Sequence, residues 1–404
     1  MARTEYGSLG SLRDHNRRRV VEELQRRGTA SRADLARITG LSRSTISSLV
    51  GELQESGVVV ETETANDGDA GRSHGQGRPP VLLTLDRRAG ALVGIDFGHA
   101  DVRVAVADLS RTILAERRRD MDVDHAGTKA LDAAAELVHA VLDEAGVPRD
   151  KVLGAGMGVA GPVDHEADIV HRSAILPSWG DIRPGAEMHK RLGIPVFIEN
   201  DANLGAMAEV AMGAAKGVDD AVYLMIAAGI GAGIVVGGQI IHGAAGTAGE
   251  LGHVLLDDNG PICRCGNRGC LETLAAGPAI VELLQRTHGP SLTLDAVLEL
   301  VEQEDPGALR AVADAGRAVG RALAALVNVL NPEVIVIGGE LAAAGDAILD
   351  PIRAAIARYA IPSAADDVRV VPSPLGGRAE VLGALILAAH RADVPDFPNV
   401  PAVP

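Results

Sequence analysis

Residues 249–272 read GELGHVLLDDNGPICRCGNRGCLE and contain all three cysteines of the 404-residue chain. Three cysteines within eight residues are an odd number and lie too close together to form a disulfide framework. Three thiolates and one imidazole complete the tetrahedral shell of a structural Zn²⁺ ion, and small glycines let the backbone fold tightly around it. We therefore predict a closed zinc site, with three buried free cysteines as the alternative. The predicted ligands are His253, Cys263, Cys265 and Cys270.

Side chains suited to a polyhydroxylated ligand lie near this stretch. Glu250 precedes His253 by three residues, Glu272 follows Cys270 by two, and Asn200 and Asp201 end a predicted strand. Carboxylates, an amide and an imidazole each bond hydroxyl groups at fixed angles, which favours a sugar as the ligand. A carboxylate at a strand end, such as Asp201, can also act as general base on a sugar hydroxyl. The alternative is that these are surface acids of an acidic protein.

The N-terminal segment predicts a winged helix-turn-helix. Apolar spacing indicates helices over residues 11–27, 31–38 and 43–55, with a capping box at residues 31–34 and a glycine turn at Gly40. Two short helices around a glycine turn are typical of a helix-turn-helix. The apolar runs 58–64 and 81–85 are expected to pair as a wing around a Gly-rich loop.

This segment has the charge that a DNA-binding domain needs. Residues 1–50 contain ten Arg against five acidic residues, a net charge of +5. The second helix of such a pair fits the major groove, and Arg residues of a wing reach phosphates or the minor groove. The alternative is a three-helix interaction domain without DNA contact. The predicted DNA-contacting residues are Arg32, Arg43, Ser44, Thr45, Ser47, Ser48, Arg72 and Arg78.

The rest of the chain is acidic. The whole chain carries −16, so the part after residue 50 carries −21, which excludes a protein whose entire surface binds nucleic acid or anionic membrane. Residues 221–249 lack Asp, Glu, Lys and Arg, but their eight glycines favour buried strands over a membrane span. The N-terminus has no apolar secretory segment, and the cysteine pattern fits a reducing compartment. We expect a cytoplasmic protein without membrane contact.

After residue 85 the pattern alternates between strands and helices. Strands are predicted at 91–96, 102–107, 152–159, 196–198 and 334–337, with helices at 132–145, 202–212 and 306–330. This alternation predicts an α/β domain, in which ligands collect at the carboxyl ends of strands.

Several motifs carry a family resemblance. Residues 249–253 and 263–272 resemble the signature of the ROK family, which groups bacterial sugar-responsive repressors with sugar kinases. Residues 199–203 (ENDAN) and 77–80 (GRPP) are also similar to that family's patterns. The resemblance extends from the helix-turn-helix to Ala389, so it covers almost the whole chain.

The resemblance implies an actin-like (ribonuclease H-like) two-lobed sugar-kinase fold with a sugar in the cleft, preceded by the winged helix-turn-helix. Asp201 would be the catalytic base in kinase members, and His253 would serve both sugar and zinc through its two ring nitrogens. The expected domains are residues 1–88 (winged helix-turn-helix), 89–200 (first lobe), 201–392 (second lobe, with a C-terminal helix returning to the first) and 393–404 (Pro-rich tail). The sugar-binding residues implied by motif position are Gly161, Asn200, Asp201, Glu250, His253 and Glu272.

The two phosphate-binding turns depart from the kinase pattern. Kinase members place an Asp-x-Gly-Gly-Thr type of turn where this chain has DFGHA at residues 96–100, and a Gly-Thr-Gly-Ile-Gly turn where it has AAGIG at 227–231. Phosphate turns depend on close backbone approach and donor side chains, so these changes oppose ATP and Mg²⁺ binding. The residues at the expected nucleotide turns are Asp96, Gly98, Gly229, Gly231, Gly338 and Gly339.

These observations predict a transcriptional regulator that binds operator DNA and responds to a sugar or sugar derivative in the cleft. Because one recognition helix reads only a half-site, we expect a homodimer or homotetramer on an inverted repeat. The alternative is an ATP-dependent, glucokinase-like sugar kinase that retains a DNA-binding extension.

Overall fold

The computed structural model describes three structured units. It covers residues 13, 16–17, 19–21, 23–24, 27–62, 81–86, 89–164, 169–170, 176–180 and 182–392.

The N-terminal unit is the predicted winged helix-turn-helix. The described residues among 13–27 form helix α1. Ser31 caps α2 through a reciprocal capping box with Asp34, and Gly40 ends this helix at φ +70°. Strands β2 and β3 pair antiparallel as the wing, and β1 pairs with β3 on the other side. The remaining elements of the unit are β1 (Ala30–Ser31), α2 (Arg32–Thr39), α3 (Arg43–Glu55), β2 (Val59–Thr62) and β3 (Leu82–Leu85).

Both helices of the pair bury one apolar stripe in a common core. Ile46, Leu49 and Leu53 of α3 pack with Leu35 of α2 and with Leu83 of the wing. This stripe is the one that the 3.6-residue spacing predicts, and it leaves the opposite face of α3 exposed. The predicted wing-loop contacts Arg72 and Arg78 lie outside the described residues.

Lobe one, as we name the first α/β unit, is built on a five-stranded sheet in the order β10-β7-β4-β5-β6. The chain first runs antiparallel through β4, β5 and β6, then adds β7 and β10 parallel to β4. Its strands are β4 (Ala91–Phe97), β5 (Asp101–Asp108), β6 (Ile113–Asp120), β7 (Val152–Val159) and β10 (Val196–Asn200), with a two-stranded ribbon β8 (Val163–Asp164) and β9 (Ile169–Val170). Its helices are α4 (Val123–Ala126), α5 (Thr128–Ala145) and α6 (Pro184–Leu192).

Lobe two, the second α/β unit, is built on a sheet in the order β13-β12-β11-β14-β15. Its strands are β11 (Ala221–Ile226), β12 (Ile230–Val236), β13 (Gln239–Ile240), β14 (Val334–Gly338) and β15 (Arg369–Pro372). Its helices are α8 (Glu272–Ala275), α9 (Gly277–His288), α10 (Leu294–Glu302), α11 (Pro306–Leu330), α12 (Asp346–Tyr359) and α13 (Pro362–Asp367). The uncharged stretch after residue 220 thus forms strands, and in the part of the chain that the structure describes no helix is both long and apolar enough to cross a bilayer.

Two helices, α7 (Asp201–Met212) and α14 (Ala379–Arg391), join the lobes. A Cβ at Gly383 of α14 would lie 2.0 Å from the carbonyl oxygen of Leu204 in α7, and one at Gly156 of β7 would lie 1.9 Å from that of Ala384. A Cβ at Gly233 of β12 would in turn lie 2.4 Å from the carbonyl oxygen of Ala202. Glycine therefore allows α14 to pack on the sheet of lobe one and α7 on the sheet of lobe two, which confirms the two-lobed α/β architecture.

Candidate functional site

The structure brings the four predicted metal ligands together. One ligand atom from each of His253, Cys263, Cys265 and Cys270 lies within 4.8 Å of the others. His253 Nδ1 is 3.5 Å from Cys263 Sγ, and the sulfurs of Cys265 and Cys270 are 3.7 Å apart. Around a tetrahedral zinc ion with Zn–S near 2.3 Å, such nitrogen–sulfur and sulfur–sulfur distances are about 3.6 and about 3.8 Å. The donor set and its spacing therefore fit Zn²⁺.

The backbone of this loop requires its glycines. A Cβ at Gly269 (φ +64°) would lie 1.6 Å from the carbonyl oxygen of Asp257, and the amide of Cys263 donates to the carbonyl of Asn267 at 2.7 Å. Burial raises the pKa of the Cys270 thiol to about 12, with neighbouring cysteines adding to the shift. A metal bound here would have to displace that proton, so metal uptake and pH are coupled at this loop.

The two ring nitrogens of His253 face different groups, as the double assignment requires. Nδ1 faces the thiols, and Nε2 lies 3.6 Å from Glu250 Oε2. Burial and the nearby Glu272 carboxylate raise the pKa of Glu250 to about 7. One imidazole therefore links the cluster of predicted metal ligands to Glu250, and a metal ion bound at Nδ1 would fix the orientation of the ring.

Asn200, Asp201 and Gly161 converge at the carboxyl end of β10. Asn200 Nδ2 donates to the carbonyl oxygen of Gly161 at 3.1 Å, while its Oδ1 caps α7 by accepting from the amide of Asn203. Asp201 is 6 % exposed, and its Oδ1 accepts from the amide of Ala202 at 2.8 Å. Burial raises the pKa of Asp201 to about 7, against the lowering effect of nearby His99. Such a carboxyl group is poised to exchange a proton near neutral pH.

A contact between Glu199 and His242 that the sequence did not reveal supports this end of the site. Glu199 is 4 % exposed, and its Oε2 lies 2.8 Å from His242 Nε2. Its Oε1 accepts from the amide of Asn200 at 2.8 Å and from Asn203 Nδ2 at 3.0 Å. Glu199 therefore ties the start of α7 to the segment that leads into Glu250. The sequence signals were Glu199 at the start of the ENDAN motif and a histidine in an otherwise uncharged stretch, and neither showed that the two side chains meet.

Glu272 is held by two groups of lobe two. Its Oε2 accepts from the amide of Ile230 at 3.3 Å, and its Oε1 lies 3.2 Å from Nε of Arg264. A Cβ at Gly229 would lie 3.0 Å from Glu272 Oε2 and 3.4 Å from His99 Nε2. His99 thus lies beside the second glycine turn, in the space between the two predicted phosphate turns.

Some of the predicted nucleotide-binding residues line a cleft, and others are packed inside the fold. A cleft is lined by Asp96, Gly98, His99, Asp201 and Gly339. Gly338 instead packs on Tyr223, whose hydroxyl would lie 2.2 Å from an added Cβ.

The floor of this cleft is acidic. The pKa of Asp96 is raised well above its usual range because the group is buried and lies near the carboxylates of Glu380 and Asp201. Glu380 is itself buried and accepts from the Tyr223 hydroxyl at 2.7 Å. Glycine at 231 is needed for packing, since an added Cβ would lie 3.0 Å from the Cβ of Ala202. Close packing accounts in the same way for glycine at 338 and at 339, where an added Cβ would lie 2.5 Å from the carbonyl oxygen of Ile226.

The predicted DNA-contacting residues of α3 form an exposed face. Arg43, Ser44, Ser47 and Ser48 are exposed, and Thr45 is partly exposed. The hydroxyl of Ser42 bonds those of Ser44 and Thr45 at 2.8 Å, which fixes the start of the helix.

Two arginines modify this face. Arg32 is occupied within the unit, since its Nη2 donates to Gln54 Oε1 at 2.9 Å and its guanidinium pairs with Glu61 at 3.4 Å. Arg13, for which the sequence offered no signal, donates to the Ser48 hydroxyl at 3.2 Å and pairs with Glu52. The guanidinium of Arg13 therefore lies beside the middle of α3.

Comparison with known proteins is consistent with this arrangement. A model of the ROK family matches residues 92–391, and a winged helix-turn-helix DNA-binding model matches residues 13–60. The xylose repressor of Bacillus subtilis is 31% identical over 380 residues, which are 94% of this chain and 96% of the repressor. The glucokinase of Thermotoga maritima is 33% identical over 314 residues, covering 74% of this chain and 98% of the glucokinase.

A crystal structure of a ROK family transcriptional regulator, a homologue of the E. coli Mlc protein, is similar over most of the chain. It has a TM-score of 0.75 and 27% identity, and the match covers 93% of this chain and 96% of that one. The match to the repressor and that to the regulator structure include the N-terminal unit, whereas the glucokinase match covers only about the length of the two lobes.

Proposed function

The chain belongs to the ROK family, and on that premise we propose that it is a transcriptional regulator that binds operator DNA and responds to a sugar. The observation that carries this proposal is the presence in one chain of two sites. The exposed face of α3 belongs to a winged helix-turn-helix, and the cleft carboxylates belong to the two lobes. The length of the match to a xylose repressor supports the same reading.

The proposed sugar site lies where the two lobes meet. Asn200, Asp201, Glu250, His253 and Glu272 would bond hydroxyl groups, and Gly161 would line the pocket. A ligand held by both lobes has different affinity for their open and closed arrangements, so it shifts the equilibrium between them. That shift is the proposed route by which sugar changes DNA binding.

We propose that the metal cluster holds a structural Zn²⁺. Four protein ligands leave no position for a reactive water, so the ion would supply rigidity and no hydrolytic chemistry. Through His253 it would fix the side chains next to Glu250. The zinc loop would then stay rigid while the lobes move and while a sugar binds.

We also propose that the regulator binds as a homodimer or a larger assembly built from dimers. One α3 helix reads one half-site, so two copies related by a twofold axis match an inverted repeat. Analytical ultracentrifugation of the free protein and of its DNA complex tests this; a single copy per operator would contradict it.

Binding to DNA from the chain's own upstream region tests the DNA half of the proposal. We expect saturable binding that a scrambled sequence of the same length does not reproduce. Ser47→Glu places a negative charge on the exposed face of α3 and should weaken binding at least about tenfold. Ser363→Glu makes the same charge change at an exposed position of α13 and should leave binding unchanged. Equal effects of the two variants would contradict a DNA-contacting role of α3.

A thermal-shift screen tests the sugar half. D-Xylose, D-glucose and N-acetyl-D-glucosamine are suitable first probes, each with and without ATP, because a ligand that binds the native state raises its melting temperature. We expect one sugar to stabilise the protein without ATP. No shift with any sugar or sugar phosphate would remove the sensor role.

A sugar kinase is the second candidate, and the raised pKa of Asp201 favours it. A base with a pKa of about 7 suits deprotonation of a sugar hydroxyl. The altered phosphate turns oppose the kinase. The first turn has His99 in place of a glycine and lacks the hydroxyl donor of the kinase pattern, and phosphoryl transfer needs donors preorganised around the phosphate. A coupled ADP-release assay over hexoses and N-acetylhexosamines decides: sugar-dependent turnover would establish the kinase, and background rates would remove it.

A further inference from the structure

We propose that Asp124 and Arg264 are positioning residues that hold Glu272 from across the cleft, so that the sugar site is complete only when the lobes are closed. This inference rests on the proposed function, because it takes Glu272 as a sugar ligand. These two charged residues lie outside the predicted site and would couple lobe closure to ligand binding. We call Asp124 and Arg264 the cross-cleft pair.

Arg264 holds the carboxylate of Glu272 on the lobe-two side. It lies between two predicted metal ligands, Cys263 and Cys265, so its backbone belongs to the rigid zinc loop. Its Nε is 3.2 Å from Glu272 Oε1, and its Nη2 donates to the carbonyl oxygen of Ala228 at 3.4 Å. With Oε2 bonded to the amide of Ile230, both oxygens of Glu272 are oriented. The direction in which Glu272 faces therefore depends on Arg264.

Asp124 reaches the same guanidinium from lobe one. Its Oδ2 lies 3.8 Å from Nη1 of Arg264, an ion pair between two partly buried side chains. Its Oδ1 lies 2.7 Å from Nδ1 of His99. One carboxylate thus joins the first glycine turn of lobe one to the zinc loop of lobe two.

The lobe-one side of this contact is built rigidly. Helix α4, which carries Asp124, is fixed by the indole of Trp179, whose Nε1 donates to the carbonyl of Val123 at 3.0 Å. The amide of Val123 donates to the carbonyl of His99 at 3.1 Å. Asp124 therefore moves with lobe one as a body, and separation of the lobes must break its contact with Arg264.

The cross-cleft pair explains why a histidine, His99, occupies the first glycine turn. The Nε2 atom of His99 faces the second turn, and its Nδ1 atom holds the Asp124 carboxylate towards Arg264. In the open arrangement Arg264 keeps only its lobe-two partners, and Glu272 loses the support that comes from lobe one. Sugar binding and closure then favour each other, as linkage requires.

Hydrogen–deuterium exchange on the full-length zinc-loaded protein tests the proposal without any sugar. The variant is Asp124→Asn, and the matched control is Asp122→Asn, whose exposed carboxylate caps the same helix and faces His125. We expect Asp124→Asn to lower the protection of the Ile230 amide, in lobe two, at least about fivefold. Asp122→Asn should change exchange only within residues 121–127. If Asp124→Asn also changes only those residues, the group is locally structural and the proposal is overturned.

Two further measurements distinguish a positioning role of Asp124 from a general loss of structure in the variant. Zinc content should stay at that of the wild type in both variants. In an Arg264→Gln background, Asp124→Asn should lower Ile230 protection no further, because the pair acts as a unit. Additive losses would show that Asp124 does not act through Arg264. Asp124→Glu keeps the charge and should restore part of the protection.

Calorimetric titration with D-xylose and D-glucose gives the ligand readout. For whichever sugar binds the wild type, Asp124→Asn should raise the Kd at least about fivefold. An unchanged Kd overturns the positioning role and leaves the proposed function standing. If no sugar or sugar phosphate of the thermal-shift screen binds the wild type while exchange at Ile230 responds to Asp124→Asn, the proposed function fails at its ligand and the cross-cleft contact stands.

Discussion

Burial of Asp201 raises the pKa of its carboxyl group and thereby makes the stability of the fold depend on pH. Asp201 starts α7 with a 6 % exposed side chain, and burial raises its pKa to about 7, whereas an unfolded Asp titrates near pH 4. The folded state therefore binds more protons than the unfolded state between about pH 4 and 7. Because the folded pKa is raised, the free energy of unfolding falls as pH rises through this window.

The variant Asp201→Asn tests that sign. The amide oxygen can still accept from the Ala202 amide, and the cost of burying a charge is removed. We expect the variant to be more stable than the wild type by about 1–3 kcal/mol at pH 8 and by much less at pH 4.5, measured by thermal unfolding. Asp367→Asn, at an exposed position, should show no such dependence. An equal effect of Asp201→Asn at both pH values would contradict a raised pKa.

Cys265 tests the metal cluster at the scale of one ligand. Cys265→Ser replaces a thiolate by a poor zinc ligand and should weaken zinc affinity more than about 100-fold, measured by competition with a chelator. Because Arg264 and His253 belong to the same loop, the sugar response should fall more than sugar-free DNA binding, which serves as the internal control. Full zinc content in the variant would show that the ligand set is wrong.

The sequence predicted the residues whose chemistry is local and missed those whose partners are distant. His253 and the three cysteines were predictable because a metal site needs a fixed ligand set at short spacing. The pairs Asp124–Arg264 and Glu199–His242 were not predictable, because the sequence does not show which distant side chain the fold brings to a given carboxylate.

At the scale of elements, capping residues and the spacing of apolar residues predicted the helices and strands well. The contact between α7 and α14 was not predictable. Ser31 and Ser42 begin their helices as expected, and the helix 306–330 has the predicted bounds. Gly383, by contrast, reads in the sequence as an ordinary glycine inside an apolar helix. Only the fold shows that it faces the backbone of Leu204.

Gly383→Ala tests this crossing. The added methyl group would meet backbone atoms that cannot move independently, so we expect a loss of about 1–3 kcal/mol in the free energy of unfolding of the two-lobed region. Gly377→Ala introduces the same group where no atom lies within 4 Å and should change stability little. Urea titration followed by circular dichroism measures both. Equal stability of the two variants would contradict the close packing of α7 on α14.

At the scale of the molecule, the formal charge of −16 combines two unlike parts. The first fifty residues carry +5, and we expect the acidic remainder to repel DNA phosphates and so to confine DNA contact to the N-terminal unit. The same acidity supplies the carboxylates that we propose as hydrogen-bond acceptors for a neutral sugar. The distribution of charge was readable from the sequence, but the arrangement of the lobes around the cleft depends on the packing of α7 and α14.

In the proposed regulator, a ligand in the cleft changes DNA binding by the N-terminal unit. The most direct measurement is fluorescence anisotropy of labelled upstream DNA with full-length protein, titrated with the sugar that gives the largest thermal shift. We expect saturating sugar to change the Kd for this DNA at least about fivefold and to leave the weak binding to scrambled DNA unchanged. A sugar that stabilises the protein but leaves the Kd for upstream DNA unaltered would contradict it.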